Sequence, residues 1–189
     1  MSTKEIIKYK DNLNRIINNI DFYQIDNLSK KIKNIWKKKK KIFICGNGGS
    51  AANAIHIAND MIYGIGMGKI PGINVEALVA NSSVITCLAN DAGYENIFSK
   101  QIEAKGKKDD LLICLSGSGN SQNIINAINY AKKLKIETFG IFGYSGGKAI
   151  KLVNNFIHIN LNDMQISEDM QLIIMHMCIR NIMSDLKLL

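Results

Sequence analysis

Apolar residues recur every three to four positions through the start of the chain and then gather into short solid runs. Between residues 4 and 20, Ile6, Ile7, Leu13, Ile16, Ile17 and Ile20 fall near helical spacing; Ile25, Leu28, Ile32, Ile35 and Trp36 repeat the pattern. Two amphipathic helices are therefore expected ahead of the first strand. Further on, "LLICL" (111–115) and "FGIF" (139–142) have no polar position at all. Strands of this kind are buried on both faces, as in a parallel sheet covered by helices on either side. The pattern predicts strands at 41–45, 74–79, 110–115, 137–142 and 155–160. Helices are expected at 49–62, 83–89, 95–104, 120–133, 147–153 and 167–186. The expected fold is α/β, a five-stranded parallel sheet in a three-layer α/β/α sandwich over residues 41–189, with the N-terminal helices of residues 1–40 packed against it.

Composition narrows the class. A chain of 189 residues can bury one sizeable core without disulfide staples. Cys45, Cys87, Cys114 and Cys178 are far apart with no CxxC pair, which suits reduced thiols in a cytoplasmic protein. No apolar run approaches the roughly 20 residues of a membrane span, and the opening "MSTKEIIKYKDN" lacks the plan of a secretion signal. The formal charge of +8 is concentrated towards the start and includes five consecutive lysines, Lys37 to Lys41. Such a run can contact a phosphate backbone, or it can be the solvated end of a helix whose C-terminal dipole favours cations. Nucleic acid is not expected as a partner.

In an open parallel sheet, ligands bind beyond the C-terminal ends of the strands. Three glycine-rich loops are predicted there: "GNGGS" (46–50), "SGSGNS" (116–121) and "GYSGG" (143–147). The first two lead from a strand into a helix, where free N–H groups and the dipole welcome an anion. Ser116, Ser118 and Ser121 add hydroxyl donors. Neither loop has the GxGxxG or GK[ST] pattern, and Ser, Asn and Gly are also ordinary turn and N-cap residues. Two hydroxyl-bearing loops on one sheet nonetheless point to a phosphorylated small molecule. "GYSGG" reads as a turn capping the next helix. His56 and Asp60, four apart, share a helix face; His176 lies in the last helix with Glu168 and Asp169 two turns upstream, and His158 reads as structural.

The stretches "CGNGGSAANAIHIAND", "ITCLANDAGYENIFSKQ" and "LSGSGNSQNIINAI", with the histidine of the final helix, resemble the sugar isomerase (SIS) domain. Within it they resemble the phosphoheptose isomerases, which interconvert sedoheptulose 7-phosphate and a manno-heptose 7-phosphate. The resemblance covers nearly the whole chain. It implies that Asn47, Gly48, Ser50, Ser116, Gly117, Ser118 and Ser121 bind the sugar phosphate, with Asp91 and Glu168 as further substrate contacts. It makes Asp60 and His176 the acid/base pair and places a zinc ion at His56, Asp60, Glu168 and His176. Asp60 stands where the family usually has glutamate. Glu168 stands where it has glutamine, "RIQExH" reading "ISEDMQ" here, and Gly117 stands where a threonine is common. Eight residues separate Glu168 from His176, about 12 Å on a straight helix. Glu168 must then precede the helix, or the two residues must act in different copies of a site shared between subunits. The apolar final helix favours an oligomer, by resemblance a homotetramer, with residues 1–40 at its interface. The implied activity is aldose-ketose isomerisation for a heptose-containing surface polysaccharide, lipopolysaccharide or capsule. The alternatives are an isomerase of another sugar phosphate, or a non-catalytic SIS protein that binds a sugar phosphate or a replication-initiator partner.

Overall fold

The computed structural model describes residues 3–188. Two helices, α1 (Thr3–Asn19) and α2 (Phe22–Lys37), lead into β1 (Ile42–Cys45) and α3 (Gly49–Asn59). There follow β2 (Val75–Ala77), α4 (Ser82–Ala92), α5 (Ser99–Lys105), β3 (Leu111–Ser116), α6 (Gln122–Lys133), β4 (Glu137–Phe142), β5 (Asn155–His158) and α7 (Met164–Asp185). All five strands are parallel, in the order β2-β1-β3-β4-β5. The expected α/β sandwich is the fold observed.

Strand alternation distributes the core between two layers. Ile42, Ile44, Leu111, Ile113, Leu115, Phe139 and Ile141 face one layer with α2, α3 and α7. Phe43, Cys45, Leu112, Cys114 and Phe142 face the other, with α5 and α6. Both faces are thus covered, which is why the strands carry no polar face. Ile25, Leu28, Ile32 and Ile35 of α2 lie in the first of these layers, among the residues that cover the sheet. The order reverses between β1 and β3, and that switch point opens the crevice in a doubly wound sheet.

Several boundaries differ from expectation. The first motif helix is α-helical only to Asn59 and continues as a π-helical turn, Asp60–Gly64, closed by Ile65 N donating to Asp60 O at 2.8 Å. The expected helix at 147–153 is a single 3-10 turn, Ala149–Lys151. The last helix begins at Met164 instead of residue 167, because the Asp163 carboxylate caps it by accepting from Ile166 N at 3.0 Å. Glu168 therefore lies inside the helix. In the lysine run, Lys41 pairs with Glu76 at 2.5 Å and Lys40 is 4.0 Å from Asp109, while Lys37, Lys38 and Lys39 have no carboxylate partner among the described residues. Burial acts to raise the Glu76 pKa, but the Lys105 and Lys41 ammonium groups outweigh it and hold the carboxyl below its usual range. Among the described residues no helix is long and apolar enough to cross a membrane.

Candidate active site

The two loops at the switch point form one pocket. After β1 the chain turns at Gly48, whose φ of 56° is left-handed and suits glycine. At Gly49 the constraint is proximity: a Cβ there would lie 2.2 Å from Glu168 Oε2, so the Glu168 carboxylate rests on the backbone of the first loop. After β3 the second loop turns at Gly119, φ 63°, into α6. The resulting pocket, about 250 Å³, is lined by Asn47, Gly48, Ser50, Ser116, Gly117, Ser118, Ser121, Met164 and Glu168. Eight of these nine were singled out from sequence. Met164, an ordinary apolar residue beside an unrecognised cap, carried no signal.

The hydrogen bonds around this pocket leave its hydroxyls ready to donate. Ser116 Oγ accepts from Gly119 N at 3.1 Å, Ser118 Oγ from Asn120 N at 3.2 Å, and Ser50 Oγ from Gln171 Nε2 at 3.0 Å. Each oxygen is engaged as an acceptor and donates to no partner among the described residues, so each O–H can turn to an incoming anion. Ser121 is the N-cap residue of α6 but makes no side-chain capping bond, which leaves its hydroxyl unspent as well. Asn47 forms a reciprocal amide pair with buried Asn123, both bonds 2.9 Å, and its Oδ1 also accepts from Tyr94 OH at 3.0 Å. Buried Gln171 accepts from Asn53 Nδ2 at 3.0 Å while donating to Ser50, tying α7 to α3. Asn53, Asn123 and Gln171 were missed because a buried amide has no sequence signature until its partners are known.

The third loop, "GYSGG", does more than cap a helix. Gly119 O accepts from Ala149 N at 2.9 Å and Asn120 Oδ1 from Lys148 N at 3.0 Å, so residues 146–149 brace the second phosphate-type loop from behind. His158 matches its structural reading, its Nε2 lying 2.8 Å from the Tyr144 carbonyl oxygen.

On the neighbouring turns of α3 and α7, three side chains converge. His56 Nε2 is 3.2 Å from His176 Nε2, and each of those nitrogens is 3.3 Å from Asp60 Oδ2. These are the three residues whose ligand atoms could hold a metal ion. A tetrahedral site with bonds of about 2.0–2.1 Å needs donor atoms about 3.3–3.4 Å apart, so two imidazoles and a carboxylate here fit a zinc-type ion. The π-helical turn starts at Asp60, at the end of the run of α3 that carries His56. The Asp60 side chain is 26% exposed and the histidines about half exposed, 50% and 47%, leaving an open side for a ligand.

Glu168 does not join this cluster. It sits two helical turns before His176, against Gly49 in the loop pocket, and the rise of about 12 Å over eight helical residues keeps it there. Asp91 is on the exposed side of α4, accepting from Asn90 Nδ2 at 2.7 Å and from Cys87 Sγ at 3.5 Å, and does not line the pocket. Through that hydrogen bond and its charge it holds the Cys87 thiol pKa above the usual range.

Comparison with known proteins gives a consistent result. Residues 8–143 match the SIS domain model. The phosphoheptose isomerase of Aliarcobacter butzleri (strain RM4018) is 35% identical over 175 residues, 92% of this chain and 90% of that one. Among solved structures, a phosphoheptose isomerase from Neisseria gonorrhoeae superposes with a TM-score of 0.89 at 26% identity, covering 97% of this chain and all of the other. One from Francisella tularensis gives 0.89 at 25% identity, covering 98% and 99%.

Proposed function

Because the chain belongs to the SIS-domain family and, within it, to the phosphoheptose isomerases, we propose that it converts sedoheptulose 7-phosphate to D-glycero-D-manno-heptose 7-phosphate. It is an aldose-ketose isomerase acting on a heptose phosphate. The product would feed a heptose-containing surface polysaccharide. The observation that carries this reading is the pairing of a hydroxyl-lined pocket at two helix N-termini with the His56, Asp60 and His176 cluster.

In this reading the phosphate is held by the free hydroxyls of Ser50, Ser116, Ser118 and Ser121 and by the backbone N–H groups that open α3 and α6. Glu168 accepts a sugar hydroxyl at the pocket wall. The first proton leaves C1 of the ketose and is returned at C2, while the carbonyl oxygen gains a proton and the neighbouring hydroxyl loses one. Asp60 suits the carbon proton: its Oδ2 faces the two imidazoles, and among the described residues its Oδ1 has a single hydrogen-bond partner, the Asn59 amide at 3.4 Å. His176, 3.3 Å from that carboxylate, orients it and moves the hydroxyl proton when its Nε2 is not held by a metal. His56, Asp60 and His176 would hold a zinc ion, which would polarise the carbonyl and neutralise charge on the enediolate.

Incubation with sedoheptulose 7-phosphate, followed by NMR, is expected to yield the aldose. A chelator should abolish the reaction and added zinc restore it. Absence of turnover with this and every other ketose phosphate would overturn the assignment.

The chain is further proposed to assemble as a homotetramer with its sites at subunit interfaces. Ile55, Ile62, Tyr63 and Met67 are large apolar side chains exposed beside the histidine-aspartate cluster, and Ile6 and Ile7 are exposed on α1. Light scattering should give four chains for the wild type and fewer for Ile62→Asp, because a carboxylate cannot be buried there unpaired. A monomeric wild type would refute it.

A further inference from the structure

At the other end of the strands from the loop pocket, the end of α2, the segment before β2 and the end of α7 line an open cavity of about 600 Å³. Its walls are apolar where Trp36, Ile70, Pro71 and Leu186 meet, a size and character typical of small-molecule sites. The Trp36 indole N–H is spent on the Gly72 carbonyl at 3.2 Å, which fixes the ring as a wall.

Its rim is cationic. Lys33 is paired with Asp185, and Lys40 donates to the Lys108 carbonyl at 2.9 Å. Lys37 and Lys39 line the same cavity without a carboxylate partner among the described residues. Lys39 adopts a left-handed φ of 53° at the turn that ends α2. A fixed aromatic wall, apolar neighbours and two ammonium groups with no carboxylate partner among the described residues complement a flat ring that carries negative charge. A volume of about 600 Å³ with these walls is the size of a small-molecule site.

We propose that this cavity binds a nucleoside phosphate, its base against Trp36 and Pro71 and its phosphates at Lys37 and Lys39, and that binding is felt at the active site. The coupling route is short. A Cβ on Gly72 would lie 1.7 Å from the Ile62 carbonyl oxygen, so the cavity wall packs backbone to backbone on the π-helical turn that begins at Asp60. Ile73 N donates to Met61 O at 2.9 Å and fastens the two together. A ligand that shifts residues 70–74 must therefore move or stiffen the turn carrying Asp60, and by linkage the substrate must alter the ligand's affinity equally.

Trp36 is the single tryptophan of the chain, so its fluorescence reports this cavity directly. Titration of the full chain with ADP, excited beyond nucleotide absorption, is expected to give a saturable change with a Kd at or below roughly 1 mM. The double variant Lys37→Glu/Lys39→Glu should bind at least about tenfold more weakly, with unchanged circular dichroism and unchanged basal turnover. In the same solutions ADP should shift the KM of the wild type for the sugar phosphate and leave that of the double variant alone. No saturable change, equal affinity in the double variant, or an equal response to inorganic pyrophosphate would overturn the nucleoside site. A fluorescence response without any effect on turnover would overturn the coupling. The fluorescence arm does not depend on the enzyme assignment, so the two can fail separately.

Discussion

Replacing His176 by alanine is expected to lower kcat/KM for sedoheptulose 7-phosphate by roughly 10³-fold or more, the combined scale of losing one acid/base group and one metal ligand. The substitution removes one corner of a triangle whose edges are 3.2 and 3.3 Å. With two donors left, His56 and Asp60 from the same helix, the ion would dissociate. Metal content measured by mass spectrometry should therefore fall from about one per chain towards zero. Stability should change little, because the His176 side chain is 47% exposed and its polar contacts among the described residues are all within the cluster. His176→Gln, which keeps a polar side chain without the imidazole, should recover little. Unchanged kcat in His176→Ala would remove the residue from the mechanism.

The second large effect is expected on stability and phosphate affinity together. In Gly119→Ala the new Cβ would lie 2.0 Å from the Gly146 carbonyl oxygen and 2.5 Å from its carbon, and the residue would also be held at a φ of 63°. The obstructing atoms are backbone, so no rotamer change relieves them. Left-handed strain and overpacking together should cost about 2–4 kcal/mol. Separation of residues 146–149 from the second loop should also raise KM for the sugar phosphate at least about tenfold. Gly48→Ala provides the control: φ there is 56°, but nothing lies within 4 Å of the added carbon. Only the conformational term remains, about 1–3 kcal/mol, because φ 56° with ψ −124° is a conformation essentially reserved for glycine. Equal denaturation midpoints for the two variants would show that residues 146–149 do not brace the loop.

Much of this site was legible because its parts are local. The strands ending at Cys45 and Ser116 are solid apolar runs, and glycine-serine turns directly after them mark the positions where backbone N–H groups are free. His56 and Asp60 are one helical turn apart, so their shared face follows from helix geometry alone. What stayed hidden depended on neighbours distant in sequence. "GYSGG" looked like a helix cap, and its role as a brace exists only because Gly147 packs against Gly119. Gln171 looked like a polar residue on an apolar helix until Ser50 and Asn53 met it from α3.

Glu168 marks the boundary between the two kinds of information. Alignment with His176 grouped both residues as ligands of one ion, while helix rise argued that they could not reach it together. The Asp163 cap decided the matter by starting α7 early enough to enclose Glu168, leaving it in the loop pocket and His176 in the cluster. By itself the sequence determined the α/β class, the strand positions, the two phosphate-type loops and the pairing of His56 with Asp60. These follow from periodicity and turn chemistry within a few residues. The resemblance grouped His176, 120 residues away, with them, but only the tertiary structure decided the triangle's geometry and left Glu168 out of it. That geometry is set by how α3 and α7 pack, through Ile57, Ala58, Met170 and Ile174 in one shared core, and no local pattern encodes the register of two helices against each other.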